Sequence, residues 1–311
     1  TLEELSAVAM RCGGCGAKVG ATVLSRVIGR LAPVQRKDVL IGLDAPDDAA
    51  VTRTPRGKVL VQTIDAFRAI VDDPYIFGKI AANHSLGDIF AMGASPQSAL
   101  AVATVPYGPE EKVEDLLGQM LRGALETFAE TGTALVGGHS SEGSELSLGF
   151  SINGLIDPEK ILQKSGMRTG DRILLTKALG TGTLFAADMR LAAKGRWIAG
   201  ALASMLQGNQ DAAACIHEHG ATACTDVTGF GLLGHLVEMT RASTVDVELD
   251  LDKIPLLEGA IETVAKGIFS TLQPQNLRLR RAIANAGEAS ERTPYPLIFD
   301  PQTAGGLLAS V

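Results

Sequence analysis

Residues 99–140 read ALAVATVPYGPEEKVEDLLGQMLRGALETFAETGTALVGGHS, and the fold class turns on how this stretch is read. Ala99 to Val105 is a short, mostly apolar run, which predicts a strand. After a Pro-Gly break, Val113, Leu116, Leu117, Met120, Leu121, Leu125 and Phe128 recur at helical spacing, so Val113 to Phe128 predicts an amphipathic helix. Thr133-Ala134-Leu135-Val136 predicts a second strand that runs into Gly137-Gly138-His139-Ser140.

The same alternation extends outward in both directions. Lys58 to Thr63 and Leu146 to Ile156 predict strands, and a polar, Pro-containing stretch from Asp157 to Arg172 reads as a join. Beyond it, Arg172 to Thr176, Val245 to Leu251 and Pro296 to Phe299 read as strands, while Ala178 to Ala193 and Gly231 to Met239 contain helical stretches. Both halves mix the two element types, so the expectation is an α/β (α+β) chain of two domains. Its 311 residues agree with that, at about 150 residues per domain. We expect a Gly-rich arm at residues 1–20, an N-terminal domain at 21–157 and a C-terminal domain at 158–311.

Composition narrows the function. Hydrophobic residues make up 46% and charged residues 20%, enough for a substantial core. A net charge of -7 argues against a general nucleic-acid or anionic-membrane surface. Four cysteines are too few for a disulfide framework in a chain of this length, so reduced thiols and a cytoplasmic setting are expected. The sequence has neither an apolar run of membrane-spanning length nor a signal-peptide pattern. It opens on Thr1, which we read as the start of a processed or excised piece.

The chemistry is carried by aspartates that follow apolar runs or sit among glycines: Asp47, Asp48, Asp65, Asp88, Asp226 and Asp300. Any one of them fits an ordinary turn or helix cap. Brought to one cleft, such carboxylates would repel each other unless cations neutralised them, and hard oxygen ligands select Mg²⁺. Gly137-Gly138-His139-Ser140 offers backbone N–H groups and a hydroxyl suited to a phosphate-cradling loop, although Gly-Gly also makes plain turns. No G-x-x-x-x-G-K-[ST] run exists, which excludes a P-loop.

Cys12-Gly13-Gly14-Cys15-Gly16-Ala17-Lys18 places a thiol near an ammonium, which lowers a cysteine pKa. Its rival readings are a redox C-x-x-C, half of a zinc site completed by His217, His219 and Cys224, or a passive tail. Gly229-Phe230-Gly231-Leu232-Leu233-Gly234 matches G-x-G-x-x-G, with Glu248 and Asp250 near the ribose-binding spacing. That keeps a dinucleotide-binding oxidoreductase open as an alternative. His84 and His235 read as structural histidines in helical stretches, and Trp197 as a packing residue.

Taken in order, these segments resemble the selenophosphate synthetases (selenide, water dikinases) of the aminoimidazole ribonucleotide synthetase-like superfamily. The resemblance rests on Gly14-Cys15-Gly16-Ala17-Lys18, Asp47-Asp48-Ala49-Ala50-Val51, Thr63-Ile64-Asp65, Gly87 to Gly93, Gly137 to Ser140, Thr225 to Gly231 and Asp300 to Gly306. It implies an N-terminal domain whose strands pair across a homodimer and a C-terminal α/β domain packed on it. It also implies synthesis of selenophosphate from ATP, selenide and water, with release of AMP and phosphate; a related ATP-dependent reaction on another small substrate is the nearer alternative. By the same resemblance, Cys15 and Lys18 are catalytic. Asp48, Asp88 and Asp226 bind Mg²⁺, and Lys18, Asp47, Asp65, Asp88, Gly138, His139 and Ser140 bind the nucleotide. A monovalent cation is carried as a further cofactor, and a fused or partner oxidoreductase domain as an associate. Relatives continue past the Asp300 to Gly306 motif, so the C-terminal domain is expected to lack a closing strand.

Overall fold

The structure, a computed structural model, describes residues 39–41, 50–53, 57–106 and 110–311. Strands β1 (Val39–Ile41), β2 (Ala50–Arg53), β3 (Val59–Arg68), β4 (Ser95–Pro106), β5 (Ala134–Gly143) and β6 (Ser147–Ile156) form one sheet in the order β1-β2-β3-β6-β4-β5. Neighbours run antiparallel except β4 and β5, which are parallel. A parallel pair needs a crossover, and the amphipathic helix predicted between these strands supplies it as α2 (Glu110–Thr131).

One face of this sheet is covered and the other is open. Val59, Val61 and Phe67 of β3 and Ala99, Ala101, Ala103 and Val105 of β4 are buried beneath the helices. On the opposite face Ile64 and Val136 are 63% and 62% exposed, with Leu100 and Val102 beside them at 41% and 37%.

Helix α1 (Pro74–Ala91) connects β3 to β4. Asp73 caps it by accepting from the N–H groups of Tyr75 and Ile76 at 2.9 and 3.1 Å, and Pro74 occupies its first turn, where a missing N–H costs nothing. It ends at Gly93, whose φ of 72° suits a left-handed helix exit. Buried residues occur on every side of α1, from Phe77 to Ala91, so it carries no amphipathic stripe. Its crossing with α2 is close: a Cβ on Gly78 would stand 2.0 Å from Met120 O, and one on Gly123 2.0 Å from Tyr75 O.

The C-terminal half holds a small antiparallel sheet, β7 (Ile173–Leu175), β9 (Leu307–Ser310) and β8 (Ala223–Asp226), in that spatial order. Around it lie α3 (Thr181–Asp188), α4 (Gly195–Leu206), α5 (Gln210–Glu218), α6 (Gly231–Ser243) and α7 (Ala260–Ala265). The main core crosses between the halves. Phe77, Ile80, Leu86 and Phe90 of α1 cluster with Leu184, Phe185, Trp197, Met205, Cys224 and Leu307. Helix α1 is therefore sandwiched between the large sheet and the C-terminal half. Trp197 packs its ring over Gly259, where a Cβ would fall 2.1 Å from it.

Two expected strands are not strands. Pro296 to Phe299 lies in a 3-10 turn (Tyr295–Phe299); a run so short and apolar fits either state, and Pro296 sits in its first turn. Val245 to Asp250 is irregular, with Val245, Val247 and Leu249 half-buried between exposed acids, and Leu251 opens a 3-10 turn (Leu251–Lys253); the segment pairs with no strand among the described residues.

Candidate active site

Polar side chains inside a helix buried all round must find partners, and those of α1 mark out a site. Asn83 Nδ2 donates to Met205 O and Leu206 O at 3.3 and 2.8 Å, and Ser85 Oγ to Ala81 O at 2.9 Å. His84 and Asp88 face β3. The Thr63 hydroxyl donates to Asp88 Oδ2, and His84 Nε2 stands 3.7 Å from Asp65 Oδ2. Asp88 is only half-buried, while its neighbours Leu86, Gly87, Ile89 and Phe90 are closed off from solvent. Asp65 was expected after a strand; it sits within β3, opposite Phe150, on the helix-covered face.

Asp226 reaches the same turn of α1 from the other half of the chain. It is the last residue of β8, it is buried, and its Oδ2 lies 2.8 Å from where a Cβ on Gly87 would be. Lys177 lies in its field: burial pushes the ammonium pKa down to about 8, and the Asp226 carboxylate pulls it back up. The Lys177 Nζ donates to Gln207 O at 2.6 Å and to Ala304 O at 3.0 Å. Thus Asp65 approaches the His84–Asp88 turn at His84, Asp226 approaches it at Gly87, and the turn itself carries Asp88. Among the described residues no three His, Cys, Asp or Glu side chains stand close enough to hold a metal by themselves. Cys15, Lys18, Asp47 and Asp48 lie outside the described residues.

The other motifs fall into place more plainly. Gly138, His139 and Ser140 are exposed, but they belong to edge strand β5 rather than to a loop, in parallel register with Ala101, Val102 and Ala103. The glycine is required there, because a Cβ on Gly138 would stand 2.2 Å from Ala101 O. Asp300 is fully buried, and burial pushes its carboxyl pKa up to about 7. Its Oδ2 accepts from Gln302 Nε2 at 2.9 Å, and its Oδ1 faces the first turn of α3 at Gly182. Gln302 Oε1 accepts from the N–H groups of Gly180 and Thr181 at 3.0 and 3.2 Å. The Asp300 to Thr303 segment therefore caps α3, a role its sequence did not reveal.

Two family models match the chain: AIR synthase related protein, N-terminal domain, over residues 46–156, and AIR synthase related protein, C-terminal domain, over residues 168–288. A protein of Nitratidesulfovibrio vulgaris named "Selenide, water dikinase" is 38% identical, over 97% of this chain and 86% of its own length. One of the same name from Desulfitobacterium hafniense is 42% identical, over 96% and 86%. The chain belongs to the selenide, water dikinase family.

Solved structures of proteins with other names share the fold. "AaThiL complexed with AMPPCP and TMP" superposes with a TM-score of 0.67 at 18% identity, over 94% of this chain and 84% of that one. A "Hydrogenase Maturation Protein HypE" gives 0.61 at 15% identity, over 92% and 76%. A dinucleotide-binding fold, the alternative raised by Gly229 to Gly234, does not fit this family's architecture. Strand β8, before those glycines, is antiparallel to β9, whereas that motif needs a parallel sheet. Gly231 is instead a packing glycine, since a Cβ there would press within 3.0 Å of the Phe299–Asp300 backbone. The zinc reading also fails for Cys224, which is buried in β8, apart from the exposed His217 and His219. His235 is structural as read: its Nε2 accepts from the Thr228 N–H at 3.1 Å, and its Nδ1 faces Glu238 at 3.4 Å.

Proposed function

We propose that this chain makes selenophosphate from ATP, selenide and water, releasing AMP and phosphate. One phosphoryl group of the triphosphate goes to selenium and one to water, which leaves AMP. The observation that carries this reading is the approach of Asp65 and Asp226, from the two halves, to the one turn of α1 that holds Asp88, in a chain whose relatives are named selenide, water dikinase.

The donor set fits Mg²⁺. It offers hard carboxylate oxygens, one half-open at Asp88 and one buried at Asp226, and Gly87 leaves the space that the second one uses. With Asp48, these residues would hold Mg²⁺, which when bound neutralises polyphosphate charge. Asp65, Asp47, Asp88, Lys18 and the exposed Gly138-His139-Ser140 edge would orient the nucleotide, and Cys15 and Lys18 would act on the transferred group. A monovalent cation and an oxidoreductase partner belong to the same proposal. The open apolar face of the large sheet, with Ile64, Leu100, Val102 and Val136, supports pairing of two copies through it. No helix among the described residues is long and apolar enough to cross a membrane. A cytoplasmic setting is proposed on the exposed, reduced thiol of Cys215.

The test is ³¹P NMR of the purified chain with Mg²⁺, ATP and selenide, run against sulfide. The expected products are AMP and a species with a selenium–phosphorus bond, absent in Cys15→Ser and in Asp48→Ala. ADP as the sole nucleotide product would overturn the dikinase reading, and full activity in Cys15→Ser would overturn the thiol's role.

A further inference from the structure

The loop of the C-terminal half that ends in Gly305-Gly306 is tied to the nucleotide-site aspartate through one buried histidine. Ala304 in that loop has a φ of 48°, a left-handed conformation that costs a residue with a Cβ about 1 kcal/mol or more. Its peptide is held from both sides. Its N–H donates to His84 Nδ1 at 3.1 Å, and its carbonyl accepts from Lys177 Nζ at 3.0 Å. His84 is 1% exposed and packs edge-on against Phe67, with ring centroids 5.0 Å apart, so its plane is fixed.

Because Nδ1 accepts, the imidazole is the neutral tautomer with its proton on Nε2. That N–H is the atom turned toward Asp65 Oδ2 at 3.7 Å. The distance exceeds a hydrogen bond, but in a buried setting it remains an electrostatic contact. The ring therefore reads the loop on one edge and the carboxylate on the other.

We propose that His84 is a positioning residue that, held by the Ala304 loop, sets the Asp65 carboxylate for nucleotide binding. The proposal rests on the nucleotide role of Asp65 given above. It makes the two edges of the ring separable. Asn at this position carries an oxygen near the place of Nδ1 and keeps the Ala304 contact, but does not reach Asp65. Gln reaches toward Asp65 but loses the Ala304 contact.

The experiment is calorimetric titration of the whole chain with Mg²⁺ and a non-hydrolysable ATP analogue, for native protein, His84→Asn, His84→Gln, Asp65→Asn and the His84→Asn/Asp65→Asn double variant. His84→Asn is expected to fold normally and to bind the analogue about ten-fold more weakly. In the Asp65→Asn background the same change is expected to cost less than about two-fold, because the residue it acts through is gone. His84→Gln is the second probe if the Asn variant folds poorly; it is expected to weaken binding in the same background-dependent way. Equal losses in both backgrounds would overturn the proposal in favour of a purely structural role, and so would unchanged binding in both His84 variants. Failure of the native chain to bind the analogue would overturn the nucleotide reading itself, together with this role.

Discussion

Asp226 Oδ2 lies 2.8 Å from the point where a Cβ on Gly87 would stand, so a carboxylate from the C-terminal half rests on the bare backbone of a helix from the N-terminal half. That contact draws the two halves into one site, and it depends on the absence of a side chain at position 87.

Gly87→Ala should separate stability from metal response. Alanine favours a helix interior by up to about 1 kcal/mol over glycine, but its methyl would displace the Asp226 carboxylate. We expect an unchanged or raised melting temperature and a Mg²⁺ requirement raised about ten-fold. Calorimetry and a Mg²⁺ titration of turnover check it, and an unaltered titration would remove Asp226 from the metal site.

Thr63→Val tests the orientation of Asp88. Valine keeps the shape of threonine and deletes the hydroxyl that donates to Asp88 Oδ2. Unfolding free energy should change by about 1 kcal/mol. Turnover at limiting Mg²⁺ should fall about ten-fold and recover substantially at saturating Mg²⁺. A loss that saturating metal does not relieve would place the defect elsewhere.

Asp300 should make stability depend on pH. Burial raises its native pKa to about 7 from an ordinary value of 3.8, so between those values the native chain holds a proton that the unfolded chain has released. Stability then falls as pH rises across that window, by up to about 1.4 kcal/mol per unit, and the full penalty is present above it. Asp300→Asn removes the titration, although its amide N–H must face the Gln302 donor or the α3 amides. Its stability relative to the native chain should improve from pH 5 to about 7 and level off above that in urea unfolding. Parallel pH profiles would contradict the burial-driven shift.

Ile64→Lys combined with Val136→Lys probes the open sheet face. Both positions are more than half exposed, so a monomer tolerates the charges, whereas an apolar interface does not. Sedimentation should show the native chain as a dimer and the double variant as a monomer with native circular dichroism. A native monomer would end the pairing proposal.

What could be read in advance depended on how each segment is buried. Helix α2 was legible because only one of its faces is covered, which leaves Val113 to Phe128 in a clean helical period. Helix α1 carries the site, yet it left no period, since sheet and C-terminal half bury it from all sides. His84 looked bland for the same reason: nothing in Asn83-His84-Ser85 announces that Ala304 and Asp65 stand at its two ring edges. Gly137 to Ser140 read as a loop because glycines weaken a strand signal, and only pairing with β4 shows why Gly138 is needed there.

By itself, the sequence determined the two-half α/β organisation, the family and the short set of aspartates worth watching, because local periodicity and motif order are written in neighbouring residues. The tertiary structure alone decided that Asp65 and Asp226 approach the turn of α1 that carries Asp88, while Gln302, held by Asp300, caps α3. A carboxylate's role follows from what lies within a few ångströms of it, and those neighbours come from distant parts of the chain that only the packed core brings together.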